Sequence, residues 1–95
     1  MRSLVVLTRD GGLWGLARDA VREVVRQGDG FTVATDDGPV RADAVLDVAA
    51  RLDVRPPGAA VARFWPGMCL GVAIHHGAPV VVVAPAALPP ALRTN

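Results

Sequence analysis

Two adjacent histidines, His75 and His76, and one cysteine, Cys69, are the side chains of this 95-residue chain best suited to metal or nucleophilic chemistry. Adjacent residues of a strand point to opposite faces, so we expect the two imidazoles not to share one metal ion. Cys69 lies in an apolar run, where a thiol acts as a small buried hydrophobe. The only serine, Ser3, lies inside a β-branched run, which disfavours a Ser–His–Asp arrangement. These residues predict a protein that is not an enzyme and that holds no metal and no cofactor.

Glycine-rich and aspartate-rich segments are better explained as turns than as ligand sites. The segment Gly11-Gly12-x-x-Gly15 lacks the lysine and the following helix of a phosphate-binding loop. Asp36-Asp37 and Asp43 lack the alternating oxygen ligands of a calcium loop, and Pro39 interrupts them. Both segments therefore predict chain reversals exposed to solvent.

Composition and charge exclude several classes of protein. A hydrophobic content of 52% is far above that of disordered chains, and the net charge of +1 disfavours a charge-driven nucleic-acid binder. The first apolar stretch, residues 3–7, is too short for a signal peptide or a membrane span, so we expect a native start and no membrane insertion. A single cysteine fits a reducing compartment, which predicts a cytoplasmic protein.

Short apolar strands with Gly-rich turns between them predict an all-β barrel or a compact sandwich within one domain. Two segments remain undecided between helix and strand, residues 17–26 (ARDAVREVVR), where one helical turn followed by a strand is favoured, and residues 43–52 (DAVLDVAARL). Residues 59–65 predict one or two helical turns, and the prolines of residues 85–95 predict a tail that packs across the surface. The predicted hairpins join residues 3–8 to 13–16, residues 31–35 to 40–42, and residues 69–75 to 79–84.

Three segments carry a resemblance to a known family. Residues 13–16 (LWGL) with 20–26 (AVREVVR), and Pro66-Gly67 with 70–83 (LGVAIHHGAPVVVV), resemble two stretches of the CheW-like domain, the adaptor module of bacterial chemotaxis. Residues 42–48 (ADAVLDV) are similar to a third stretch, but here they precede the second one, whereas in the family they follow it. Members of this family contain two SH3-like barrels, and the present length allows one barrel or a rearranged form.

The resemblance implies a mainly β, small SH3-like barrel of short antiparallel strands, with one or two short helical segments, over residues 1–95. It also implies a non-enzymatic adaptor that couples a chemoreceptor to a histidine kinase. The candidate partner-binding residues are then Arg22, Glu23 and Arg26, together with His76 and Gly77 at a predicted turn. His76 stands where the family pattern has arginine, which changes the contact expected of that turn.

Two other functions remain open from the residues alone. Unpaired edges of the Val-rich strands would allow a structural protein to self-assemble as a homo-oligomer. A small barrel could also bind a ligand in its mouth as a regulatory subunit. Concentration-dependent oligomers without a partner would indicate the first, and a ligand-dependent rise in melting temperature would indicate the second.

Overall fold

The protein is described by a computed structural model, which covers residues 1–59, 69–88 and 92. Within these residues the chain is mainly β, which confirms the predicted fold class. The strands are β1 (Arg2–Arg9), β2 (Gly12–Ala17), β3 (Val21–Gln27), β4 (Gly30–Thr35), β5 (Gly38–Ala42), β6 (Ala44–Leu52), β7 (Cys69–His75) and β8 (Ala78–Val83). Two short 3₁₀ segments cover Arg18–Ala20 and Pro85–Ala87.

The strands form two sheets. Five strands make the larger sheet, in the order β6-β1-β2-β8-β7, and three strands make the smaller sheet, in the order β3-β4-β5. Neighbouring strands are antiparallel except β2 and β8, which run parallel over the short register from Trp14 to Gly15. β6 and β7 are therefore the two edges of the larger sheet.

The larger sheet curls on itself, and this curl divides the core in two. β1 is buried on both faces, as its continuous apolar run LVVL requires. One face packs against the smaller sheet, with Leu7, Leu16 and Val33 in its centre. The other face lies inside the curl, where side chains of β1, β6, β7 and β8 meet in the cluster Leu4, Val6, Ala50, Ala73, Val80 and Val82.

The curled sheet does not close into a barrel, because no continuous ladder joins its two edges. One isolated antiparallel bridge, between Arg55 and Val72, links the chain after β6 to β7. The predicted β architecture is therefore correct, but the barrel implied by the resemblance stays open between its two edge strands, β6 and β7. We name this opening the seam.

Both undecided segments are strands. Residues 17–26 form a 3₁₀ turn followed by β3, as favoured above, and residues 43–52 form β6 without a helix. The helical turns expected over 59–65 lie outside the described residues, apart from position 59. In the expected tail, Leu88 and Leu92 are buried in the core between the two sheets, so the tail contributes packing as well as covering the surface.

Candidate functional site

The charged candidates Arg22, Glu23 and Arg26 lie on β3, an edge of the smaller sheet. Arg22 forms a bidentate ion pair with Asp36, in which its Nε donates at 2.8 Å to one carboxylate oxygen and Nη2 donates to the other. This pairing lowers the pKa of Asp36 and raises that of Arg22. Glu23 and Arg26 are exposed and have no ion pair with the residues that the structure describes. Arg22 therefore ties β3 to the β4–β5 turn, and its two neighbours remain available to a partner.

His76 and Gly77 form the two-residue turn between β7 and β8. Their φ angles of 49° and 82° are both positive, which is the pattern of a type I′ hairpin turn. A left-handed conformation costs a residue with a Cβ about 1–2 kcal/mol, and glycine avoids that cost. The turn confirms the predicted hairpin and leaves the His76 side chain exposed.

The candidate residues do not form one site. The three charged residues belong to the smaller sheet, and the His76–Gly77 turn belongs to the larger one. No hydrogen bond or ion pair of the described residues connects the two groups. The structure thus divides the candidates between two surfaces.

The expectation that His75 and His76 point to opposite faces is wrong, because His76 lies in the turn and not in the strand. The two rings meet edge to face with centroids 4.3 Å apart. The His75 side chain is only 11% exposed, and its Nε2 lies 3.7 Å from Oδ2 of Asp47 on β6. No group of three or more His, Cys, Asp or Glu side chains in the described ranges is arranged to hold a metal ion. His75 therefore serves as a side-chain link between the two edges of the larger sheet.

Asp47 also stabilises an irregularity in β6. The register between β1 and β6 shifts twice, between Leu4 and Val6 and between Val6 and Leu7, so β6 carries extra residues that its neighbour lacks. Oδ1 of Asp47 accepts a hydrogen bond of 2.9 Å from the amide of Ala49, within the first of these bulges. Bulges bend an edge strand and oppose edge-to-edge pairing with another sheet.

The exposed large apolar side chains concentrate on β6 and β7. Leu46 and Val48 are half-exposed on β6, and Leu70 and Ile74 are 44% and 58% exposed on β7. Asp47 and His75 touch each other, and their sequence neighbours point to the other face of each strand. Leu46, Val48 and Ile74 therefore point to the face opposite Asp47 and His75, and Val48 lines a pocket together with Arg22 and Glu23 of β3.

Gly71 allows the chain after β6 to approach β7. Val72 and Arg55 exchange two backbone hydrogen bonds, of 2.8 and 2.9 Å, immediately beside this glycine. A methyl group at position 71 would overlap the Arg55 carbonyl oxygen and lie 2.5 Å from Cγ1 of Val54. The bridge between Val72 and Arg55, which holds the chain after β6 close to β7, therefore depends on the absence of a side chain at position 71.

A solvent-open cleft of about 400 Å³ lies beside the bridge, and we name it the β6–β7 cleft. Asp53 pairs with Arg55 at 3.3 Å, whereas Arg51 forms no hydrogen bond or ion pair with the described residues. The cleft therefore combines apolar walls with an excess of positive charge. Its apolar lining includes Leu52, Val72 and Ile74, and its charged lining consists of Arg51, Asp53 and Arg55.

Asp43 joins the two sheets where the chain passes from β5 to β6. Its carboxylate accepts a hydrogen bond of 2.9 Å from the Asp10 amide and one of 2.8 Å from the Arg9 guanidinium, and its own amide donates to the Thr8 carbonyl. These donors, the Asp10 amide first, lower the pKa of Asp43. Asp43 is therefore a structural residue that holds the β1–β2 turn.

Sequence reasoning missed the β6–β7 cleft, although both strands carried a signal. The run CLGVAIH of β7 has apolar residues on both faces, and β6 has apolar residues at 45, 46 and 48, which two-residue alternation does not explain. Such strands are either buried on both faces or expose an apolar face. The choice depends on which strands are edges, and no local pattern encodes that.

Cys69 is buried as expected, and its thiol donates to the Gly71 carbonyl at 3.3 Å.

None of the helical segments in the part of the chain that the structure describes has the length and hydropathy needed to cross a bilayer. No protein-family model, curated protein or solved structure matches this chain.

Proposed function

We propose that this chain is a non-enzymatic, cytoplasmic adaptor that couples a chemoreceptor to a histidine kinase in chemotaxis-like signalling. The observation that carries the proposal is that four large apolar side chains are exposed on the two edge strands of the larger sheet, Leu46 and Val48 on β6 and Leu70 and Ile74 on β7. Large exposed apolar patches are typical of protein-binding sites, and exposed side chains of this kind on edge strands would contribute to one.

The energetic argument rests on burial. Moving a Leu, Ile or Val side chain from water into an interface stabilises a complex by about 1.5–3 kcal/mol when burial is complete. Part of that gain offsets the loss of translational and rotational freedom, so a few such side chains support binding in the micromolar range. The seam supplies enough apolar side chains for one specific partner.

An adaptor needs a second surface for its second partner. The exposed edge strand β3 provides it, with Glu23 and Arg26 as charged residues that would set the register of a partner. β3 belongs to the smaller sheet, whereas Leu70 and Ile74 lie on β7, an edge of the larger one, so a partner at β3 and a partner at β7 would use different strands. The His76–Gly77 turn lies at the end of β7 and would extend the seam surface.

The resemblance to the CheW-like domain supports the choice of partners. Its first segment includes β3, and its second includes β7 and β8, so the resembling stretches coincide with the two proposed surfaces. His76 in place of the family arginine predicts that the turn contributes a weaker charge contact than in that family.

The test is a direct binding measurement with two purified partners, a chemoreceptor cytoplasmic domain and the regulatory domain of a chemotaxis histidine kinase. We expect saturable binding that the double variant Leu70→Ser/Ile74→Ser weakens at least about tenfold, because each exposed side chain contributes about 1 kcal/mol or more. Val25→Ser is the matched control, since Val25 on β3 is also 44% exposed and belongs to the other sheet. It should leave binding at the seam unchanged.

Glu23→Arg separates the two surfaces. This variant should weaken one partner and leave the other within about twofold, because a rim charge acts locally. Failure of both partners to bind would refute the adaptor. Oligomers that form with increasing concentration in the absence of a partner, and that Leu70→Ser/Ile74→Ser abolishes, would establish self-assembly instead.

A further inference from the structure

We infer that the β6–β7 cleft binds an extended peptide segment of a partner protein, which pairs with the free edge of β7 and places acidic side chains beside Arg51. This inference rests on the proposed function and names the way in which one partner is recognised. Three independent features of the cleft lead to it: its backbone, its apolar lining and its charge.

The backbone of β7 offers hydrogen-bonding groups at Ile74 that pair with none of the described residues. Val72 directs its amide and carbonyl away from β8, towards Arg55, with which it exchanges two hydrogen bonds. Alternate residues of a strand direct these groups to the same side, so those of Ile74 also point away from β8. The next pair of a continued ladder would join Ile74 to Asp53, and no such hydrogen bond forms among the described residues.

Within the part of the chain that the structure describes, the edge is therefore open at Ile74, where the chain of residues 51–53 diverges from β7. An extended peptide can use such an edge, since its main-chain groups complete the ladder and its alternate side chains enter pockets.

The lining determines which side chains the peptide presents. Leu52, Val72 and Ile74 provide apolar contacts inside the cleft, and Ile74 is 58% exposed in the free protein. An apolar side chain at every second position of the peptide would cover these residues.

The charge of the cleft determines which side chains the peptide carries at its remaining positions. Asp53 neutralises Arg55 at 3.3 Å, so Arg51 is the charge that is left without a partner among the described residues. Acidic side chains alternating with apolar ones therefore fit the cleft, whereas basic ones would be repelled.

The probe is a synthetic six-residue peptide in which valine alternates with glutamate, blocked at both ends, with a valine–lysine peptide as its counterpart. The peptides are titrated into the full ¹⁵N-labelled chain. We expect the largest amide shifts at Ile74 and along residues 51–53, slower hydrogen exchange at the Ile74 amide, and about tenfold weaker binding of the lysine peptide at low salt.

A charge exchange tests the role of Arg51. Arg51→Glu should reverse the preference between the two peptides, and Arg41→Glu is the matched control, because it makes the same charge change at an exposed residue of the smaller sheet. An unchanged Ile74 amide with both peptides, or an Arg51→Glu variant that still prefers the glutamate peptide, would overturn the inference.

The adaptor proposal and this inference fail in different ways. If a partner domain binds while the Ile74 amide exchanges as fast as in the free chain, strand addition is refuted and the adaptor remains. If the glutamate peptide protects Ile74 while neither partner domain binds, the strand-addition site is supported and the chemotaxis assignment is refuted.

Discussion

Gly71→Ala tests how the seam is held. The added methyl group would overlap the Arg55 carbonyl oxygen and crowd Val54, so the chain after β6 must move away from β7. The movement breaks the two hydrogen bonds between Val72 and Arg55, each of which contributes about 1 kcal/mol. Partial exposure of Val54 adds a fraction of the roughly 1.5–3 kcal/mol that full burial of such a side chain provides.

The expected loss of unfolding free energy is therefore about 2–3 kcal/mol, within the range of about 1–3 kcal/mol for overpacked sites. At about 4–8 °C per kcal/mol for a domain of this size, the melting temperature should fall by about 10–20 °C. Urea and thermal unfolding followed by far-UV circular dichroism measure both quantities. Gly58→Ala is the matched control, because a methyl group there meets nothing within 4 Å, and it should change stability by less than about 1 kcal/mol.

Equal unfolding curves for the two alanine variants would refute the reasoning, since the bridge would then contribute nothing. A drop in stability for both variants would also count against it, because Gly58 has no close neighbour that a methyl group could displace.

Three further predictions concern the turns and the core, and urea denaturation measures each of them. His76→Asn should raise the unfolding free energy by about 0.5–1 kcal/mol, and Gly77→Ala should lower it by about 1 kcal/mol, because both positions have positive φ. Leu92→Ala should lower it by about 2–5 kcal/mol, because this side chain is fully buried between the sheets. Asp43→Asn should reduce the loss of unfolding free energy at acid pH. Folding lowers the pKa of Asp43, so the stabilisation by its carboxylate is complete above the unfolded value of 3.8 and is lost as the pH falls through the folded pKa.

Each of these predictions has a contrary result. An unchanged unfolding free energy for Gly77→Ala would show that the turn is not of type I′. An unchanged value for Leu92→Ala would show that the C-terminal segment lies on the surface. Acid unfolding profiles of Asp43→Asn and the parent chain that run parallel from pH 6 to pH 2.5 would show that the Arg9 and Asp10 contacts do not stabilise the fold.

The turns and hairpins are predictable from the sequence because their signals are local. Asp10-Gly11 and His76-Gly77 reverse the chain at the expected positions, and β7 begins and ends as its apolar run indicates. β3 and β6 stay undecided at that level because valine-rich amphipathic segments fit both a helical and an alternating pattern. Pairing with β4 and β1 decides them, and such pairing is a property of the whole fold.

The candidate site is less predictable than the fold for the same reason. The sequence predicts that Arg22 is a free surface charge, yet it forms an ion pair with Asp36, fourteen residues away. The apolar run of β7 predicts that Ile74 is a core residue, yet its side chain is 58% exposed on this edge strand. Whether a strand is central or at an edge follows from sheet order, and sheet order is not encoded in any one segment.

The most direct test of a partner-binding seam is hydrogen–deuterium exchange of the full chain, alone and with each of the two partner domains. The prediction is slower exchange over β6 and β7 with one partner, centred on Ile74 and residues 46–53, while β4 and β5 exchange as in the free protein. Unchanged exchange along both β6 and β7 with each partner, at concentrations where binding is measured, would contradict it.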